Sequence, residues 1–514
     1  MIGRLALPRS VRLPWERVGS LAAGVMPLLA FPRADFGWLA WVVLVPGMLL
    51  MLNARDVREA ALRGWWFGAG FLLAALYWTL PDIGPGLPLL AIVFGVPWAA
   101  WGAAVRWLMP ERPLAALVVL PNGWLAIELI RSWPRLGGPW ALLGATQWRY
   151  PAVLSLASVG GVWLISVAIV AVNTLVVLFI VRRRVWPVAA AAAILLAGPL
   201  TYTLTPAPPA PTSATPGLTG GGGGGDGRML RVALVQPGIV HDPAERLAAS
   251  EGITAGLPAV DLVVWGESSV GYDLDRRTDI VDRLTALNSR GDLLVNEDAR
   301  DARGRISKSS ILVGRNGPRD RYVKTRLVPF GEYIPFRSSI GWLSRISAAA
   351  SEDRVPGTGP EVMSAGGTTI GPLICFESTF PDLARTVVNR GAQVIVYQSS
   401  TSSFQDSWAP RQHAALGAVR AAETGRPVVQ AALTGVSAAY DSRGRRLTHL
   451  DTDGRGATLV TLRLPNASSR TLYDRWGNYV PCLALAVTFG AAAAAAYTLR
   501  RGSRATGARR DRPL

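Results

Sequence analysis

Histidine, cysteine and lysine are scarce in this chain. Three histidines (His241, His413, His449) and two cysteines (Cys375, Cys482) stand far apart, so they build neither a zinc ribbon nor a redox Cys-x-x-Cys, and no metal or cofactor is expected. Two cysteines cannot form a disulfide framework either. Charge is thin as well: 17% of the 514 residues are charged, against 50% hydrophobic. That balance argues against a wholly soluble protein, and it excludes disorder, which needs low hydrophobicity. A net charge of +18 would suit a nucleic-acid binder if it were gathered on one face, but it is spread along the chain, and no nucleic-acid partner is expected. Almost every basic residue is arginine. Lysine occurs only at 308 and 324, so each one invites the question of what a compact ammonium does there.

Long apolar runs fill the first two hundred residues, and about 20 helical residues suffice to cross a hydrocarbon core. The spacing predicts spans near 15–31, 36–52, 62–80, 87–109, 114–131, 157–181 and 186–204, with an eighth near 478–499. Internal prolines and glycines such as Pro27, Pro46, Gly68 and Pro97 are tolerated in such helices. Tryptophans collect near the span ends, where an amphipathic indole is comfortable. Arginines concentrate before the first span and after the second, fourth and sixth, and again in the C-terminal tail. Short basic loops stay cytoplasmic, so both termini are expected in the cytoplasm and the region between spans seven and eight outside it.

The chain therefore divides into a membrane domain (1–204), a Pro- and Gly-rich tether (205–228), a domain over 229–470, a last span (471–500) and a basic tail (501–514). Residues 229–470 alternate short β-branched runs (MLRVALVQP, DLVVWGES, SSILVGR, TTIGPLICFES, QVIVYQSS, RPVVQAAL, ATLVTLRL) with helical patterns near 242–255, 277–289, 381–391 and 411–425. This is an α/β domain of ordinary size.

Three of its segments end an apolar strand in a reactive side chain. DLVVWGESS ends in Glu267, whose ordinary role would be a solvated carboxylate. RYVKTRLVPFGEYIPF carries Lys324 and Glu332. TTIGPLICFESTFPDLAR places Cys375 between a strand and a helix starting near Pro381, where a cysteine is most often a small buried hydrophobe. Together they offer a thiol nucleophile, a carboxylate to take its proton, an ammonium to favour the anionic states, and backbone N–H groups near Phe376 for an oxyanion. His413 offers an alternative base.

The ordered set W-x-E, Y-x-K-x-R-L-V-P-F-G-E and I-C-F-E resembles the nitrilase superfamily. Combined with seven preceding spans and one following, it resembles the apolipoprotein N-acyltransferases along essentially the whole chain. The second motif, Tyr322 to Glu332, is the most specific. The resemblance implies a multi-pass helical membrane domain of about eight spans joined to an extracytoplasmic α-β-β-α sandwich. It also implies Glu267 as base, Lys324 as cationic stabiliser and Cys375 as nucleophile, with Glu332 and Glu377 as supporting acids that orient their neighbours or brace the loops. The implied reaction moves an acyl chain from a phospholipid, through a Cys375 thioester, to the α-amino group of a diacylglyceryl-cysteine at a lipoprotein N-terminus, in a bacterial plasma membrane. The chain departs from the common pattern at Phe376, where many members have tyrosine, and at Ser400–Gln405, a loop expected to border the acyl pocket. Two other readings use the same features: a membrane-tethered amidase, and a non-enzymatic scaffold for a polyprenol-phosphate mannose synthase.

Overall fold

Proline and glycine decide how the apolar runs become helices. In the computed structural model, which describes residues 15–205, 228–300, 304–340 and 354–510, four helices are long and apolar enough to cross a bilayer: Pro113–Arg131, Ala157–Arg182, Trp186–Leu204 and Tyr479–Thr498. A fifth is the pair Gly86–Phe94 and Pro97–Leu108, bent by 41° where Pro97 cannot donate to the helical ladder. The runs expected near 15–31, 36–52 and 62–80 take shorter or interrupted forms. Trp15–Val25 tightens into the turn Met26–Ala30 at Pro27, and the turn Gly37–Trp41 precedes Val45–Leu52, which has Pro46 in its first turn. Val57–Ala75 is continuous but carries Arg58, Glu59 and Arg63. The expected tether falls almost wholly outside the described residues, as do Arg4, Arg9 and Arg12 and residues 511–514 of the expected tail.

The basic loops meet at one end of this bundle. Arg17 pairs with Glu59 at 2.9 Å, Arg106 donates to the Ala54 carbonyl at 3.0 Å, and Arg182 donates to that of Pro110 at 2.5 Å. The α/β domain attaches to the opposite end. There the longest apolar helix, Ala157–Arg182, is broken in its first turn at Gly160 and Gly161, the latter at φ +71° against the ring of Tyr473. The break frees the Val162 N–H, which the Glu423 carboxylate accepts at 2.8 Å. Glu423 is also paired with Arg420 at 3.1 Å, both side chains fully buried. Nearby, Trp408 N–H donates to the Tyr77 hydroxyl at 2.8 Å, and the Tyr479 hydroxyl donates to the Val159 carbonyl at 3.2 Å.

The α/β domain holds two six-stranded sheets. The first has the order β12-β1-β2-β3-β4-β5, from β1 (Met229–Gln236), β2 (Leu262–Trp265), β3 (Asp292–Arg300), β4 (Ile306–Gly314), β5 (Gly317–Val323) and β12 (Gly456–Arg463). The second has β11-β10-β9-β8-β7-β6, from β6 (Met363–Ala365), β7 (Thr368–Ile374), β8 (Val394–Ser399), β9 (Val428–Ala432), β10 (Ser437–Tyr440) and β11 (Arg446–Leu450). Pairing is parallel at the centre of each, β1-β2-β3 and β7-β8-β9, and antiparallel at the edges.

Alternation along β1 shows how the layers form. Val232 and Leu234 face the second sheet, sharing a core with Ile370, Val394 and Val396, whereas Ala233 and Val235 face outward onto Leu247, Ile280 and Leu284 of helices Pro243–Ala255 and Thr278–Ala286. Helices Pro381–Asn389 and Ala409–Thr424 cover the second sheet. The result is the helix-sheet-sheet-helix sandwich. Strands β3, β5, β6, β10 and β11 are additions to the runs legible as strands in the sequence. They are polar (GPRDRYV), small (SAAY) or short, and sheet neighbours hold them in place more than their own propensity does.

Candidate active site

Parallel strands end together, so residues just past β2, β5 and β7 can converge across the gap between the sheets. Glu267 lies two residues beyond β2, and its N–H is held by the Ser399 carbonyl of the opposite sheet at 3.1 Å. The chains approach closely here: a Cβ on Gly266 would stand 2.0 Å from the backbone nitrogen of Leu433, so only glycine fits. Lys324 is the first residue after β5, its N–H bonded to the Lys308 carbonyl of β4 at 2.9 Å. Cys375 follows β7 directly, at φ +48°, and opens the short turn Cys375–Thr379. Ser268 (φ +57°) and Phe330 (φ +63°) flank the same region in the same sparsely populated conformation. Such clustering of backbone strain is a feature of functional sites.

The side chains expected from the sequence come together. Lys324 Nζ lies 3.1 Å from Glu267 Oε1 and 2.9 Å from Glu332 Oε1, and all three are buried. Glu332 is itself fixed by the Val328 N–H at 2.9 Å and by Arg354 at 3.3 Å. The Cys375 thiol donates to the Ser400 carbonyl at 3.7 Å, and the Glu267 and Lys324 charges both act on it.

Glu377 takes a different place. Its oxygens accept from the Tyr322 hydroxyl (2.7 Å), the Thr325 N–H and hydroxyl (both 2.8 Å), the Arg326 N–H (2.9 Å) and the Ile374 N–H (2.7 Å). It ties the Lys324 loop to the Cys375 strand without touching sulfur. His413 contacts the main chain instead of the thiol, with Nε2 3.0 Å from both the Cys375 carbonyl and the Ser378 hydroxyl.

Burial pushes the Cys375 thiol up to about 12, and the Glu267 carboxylate adds to this while Lys324 opposes it. For Glu267 burial acts the same way, but the ammonium groups of Lys308 and Lys324 outweigh it and hold the carboxyl at about 2. Burial would lower Lys324, yet Glu267 and Glu332 win and raise it. The resting arrangement is therefore thiol, carboxylate and ammonium. A thiol raised in this way is largely protonated at neutral pH.

Lys308 was unassigned in the sequence and lies at this site; the rarity of lysine was its only signal. The rim was not legible either, because it is built across domains. Trp78 packs edge-on against Phe404 at 4.6 Å and against Trp140 at 5.1 Å, while Gly138 abuts the rings of Phe376 and Phe380. The loop at 400–405 thus sits between Cys375 and the helical domain.

Comparison with known proteins agrees with this two-part construction. Residues 23–175 match the family model described as apolipoprotein N-acyltransferase N-terminal domain, and residues 231–470 match that for carbon-nitrogen hydrolase. The chain is 28% identical to the apolipoprotein N-acyltransferase of Geobacter metallireducens, over 97% of this chain and 98% of that one. It is 30% identical to that of Pseudomonas putida, over 84% and 87%. Among solved structures, the carbon-nitrogen hydrolase of Helicobacter pylori is similar at 14% identity and TM-score 0.38, covering 49% of this chain and 94% of that one. Saccharomyces cerevisiae Nit3, a nitrilase-superfamily member, is similar at 20% identity and TM-score 0.36, covering 46% and 91%.

Proposed function

Because the chain belongs to the apolipoprotein N-acyltransferase family, and is thus an acyltransferase of lipoprotein biosynthesis, we propose that Cys375, Glu267 and Lys324 carry out its chemistry on a phospholipid donor and a diacylated apolipoprotein acceptor. The observation that carries this reading is the convergence of the three groups: Lys324 Nζ lies 3.1 Å from Glu267 Oε1, and both of these charges act on the Cys375 thiol.

In the first half-reaction Cys375 Sγ attacks the ester carbonyl carbon while its proton passes to Glu267. Lys324 stabilises the oxyanion, because a preorganised donor in a buried site acts far more strongly than in water. The C–O bond breaks, the leaving glycerol oxygen takes the proton from Glu267, and a thioester and a lysophospholipid result. In the second, the α-amino nitrogen of diacylglyceryl-cysteine attacks the thioester. Glu267 takes its proton, the C–S bond breaks, and the sulfur regains a proton as the amide forms. Glu332 keeps Lys324 in place, and Glu377 holds the two loops in register.

Acyl chains explain the helices. Exposing a chain to water costs about 0.8 kcal/mol per CH₂, so a site shared with the helical domain lets the chain move without leaving apolar surroundings. The aromatic seam of Trp78, Trp140 and Phe404 supports that route. The basic loops gathered at one end of the helices, with the α/β domain at the other, support cytoplasmic termini and an extracytoplasmic site.

Cys375→Ala tests the reading. The mass of a lipoprotein's N-terminal lipopeptide should lack the amide-linked acyl chain, and native enzyme quenched with fluorescent phospholipid should carry the label on the Cys375 peptide. An unchanged triacylated product would refute it. If that variant still recruits a polyprenol-phosphate mannose synthase at full yield while native enzyme never forms a thioester, the scaffold stands in its place.

A further inference from the structure

The mechanism uses one of the two lysines, and the other stands beside it. Lys308 lies on β4 directly opposite Asp298 of β3. Its Nζ is 3.1 Å from Asp298 Oδ1 and 3.5 Å from Glu267 Oε1, and it hydrogen-bonds the Ser268 hydroxyl. The side chain is 6% exposed. Both lysines reach Glu267 through the same carboxylate oxygen, Oε1, Lys308 at 3.5 Å and Lys324 at 3.1 Å. We propose that Lys308 is a positioning residue that keeps Glu267 ionised and sets the acid limit of the enzyme's working range. This rests on Glu267 as the base, and deepens that reading.

The need for a second cation follows from how the first is shared. Glu267 is buried, which favours its neutral acid, and a neutral acid cannot take the thiol proton. Lys324 divides its charge between Glu267 and Glu332, and Arg354 reaches Glu332 at 3.3 Å. Lys308 restores the balance from the other side, while Asp298, at the more open end (26% exposed), keeps Lys308 from being an uncompensated buried charge. The groups facing Glu267 are thus Lys324 with Glu332 behind it, Lys308 with Asp298 behind it, and the Cys375 thiol; beyond the Cys375 carbonyl sits His413, whose pKa burial lowers. Lys308 and Lys324 together hold the Glu267 carboxyl low. Arginine would serve poorly, because its planar fork pairs bidentately with a carboxylate and would withdraw Glu267 from the thiol. That accounts for both lysines in a chain that otherwise uses arginine.

The test is the pH dependence of Cys375 alkylation by iodoacetamide in the full chain in detergent micelles, read by the mass of the Cys375 peptide because the exposed Cys482 can react too. The native rate should hold down to about pH 4, whereas Lys308→Met should move the acid limb upward by about one to three pH units and leave the rate near pH 8 within a few-fold. Lys308→Gln, which keeps a polar side chain that can donate toward the Ser268 hydroxyl, should do the same and stands in should the methionine variant fail to fold. A uniform fall at every pH with the limb unmoved would overturn the proposal and leave Lys308 a structural residue. Glu267→Gln separates the two levels. The plateau should give way to a rate that rises steadily with pH as the free thiolate does, and if the plateau and its acid limb persist the assignment of Glu267 as base fails, whatever Lys308 does.

Discussion

Glu377 shows how much a single buried carboxylate can organise. Three main-chain N–H groups and two hydroxyls converge on it, joining the loop after β5 to the start of the Cys375 turn. Glu377→Gln would replace an acceptor oxygen with a donor and leave some of these groups facing an NH₂. Hydrogen bonds to charged groups contribute about 1.5–3 kcal/mol each, so a loss of about 3 kcal/mol is expected, measured as a lowered Tm. Alkylation of Cys375 should slow together with it. The motif I-C-F-E marked Glu377 as important, but not that it braces two loops without reaching the thiol. Its role depends on Thr325, Arg326 and Tyr322, and their approach is a matter of strand order. Glu332, by contrast, does contact Lys324, eight positions away in the same motif.

At the scale of elements, the joint between the domains is a helix break filled by a side chain. Gly160 and Gly161 open the first turn of Ala157–Arg182, and Glu423, from the last turn of Ala409–Thr424, accepts the exposed Val162 N–H while paired with Arg420. Glu423→Ala would leave both the Val162 N–H and the Arg420 guanidinium buried without this partner. Breaking a buried pair from one side costs about 3–5 kcal/mol, so the variant should lower Tm strongly and expose the joint to limited proteolysis. Conservation of both at wild-type levels would remove this joint from the account. Helical runs were legible from composition, but this break was not, because a Gly-Gly pair inside an apolar run also packs without kinking.

Across the whole molecule, the buried apolar cluster runs without interruption from Trp98 and Trp124 among the helices to Leu373 and Val396 of the second sheet. The α/β domain therefore has an apolar underside that the helices cover. Residues 228–470 expressed alone should aggregate in buffer and become monodisperse only with detergent, as size-exclusion chromatography would show. A well-behaved detergent-free monomer would mean that the seam of Phe404, Trp408 and Leu416 contributes little.

Sequence alone determined the two-domain plan and the candidate groups that meet at the site, because apolar run length, β-branched periodicity and motif spacing are local properties. Tertiary structure decided the rest: that Lys308 joins Lys324 at one carboxylate, that Glu377 braces without touching sulfur, and that aromatic rings from both domains form the rim. Each of these depends on which strand ends lie side by side across two sheets, and spacing along a chain does not encode that.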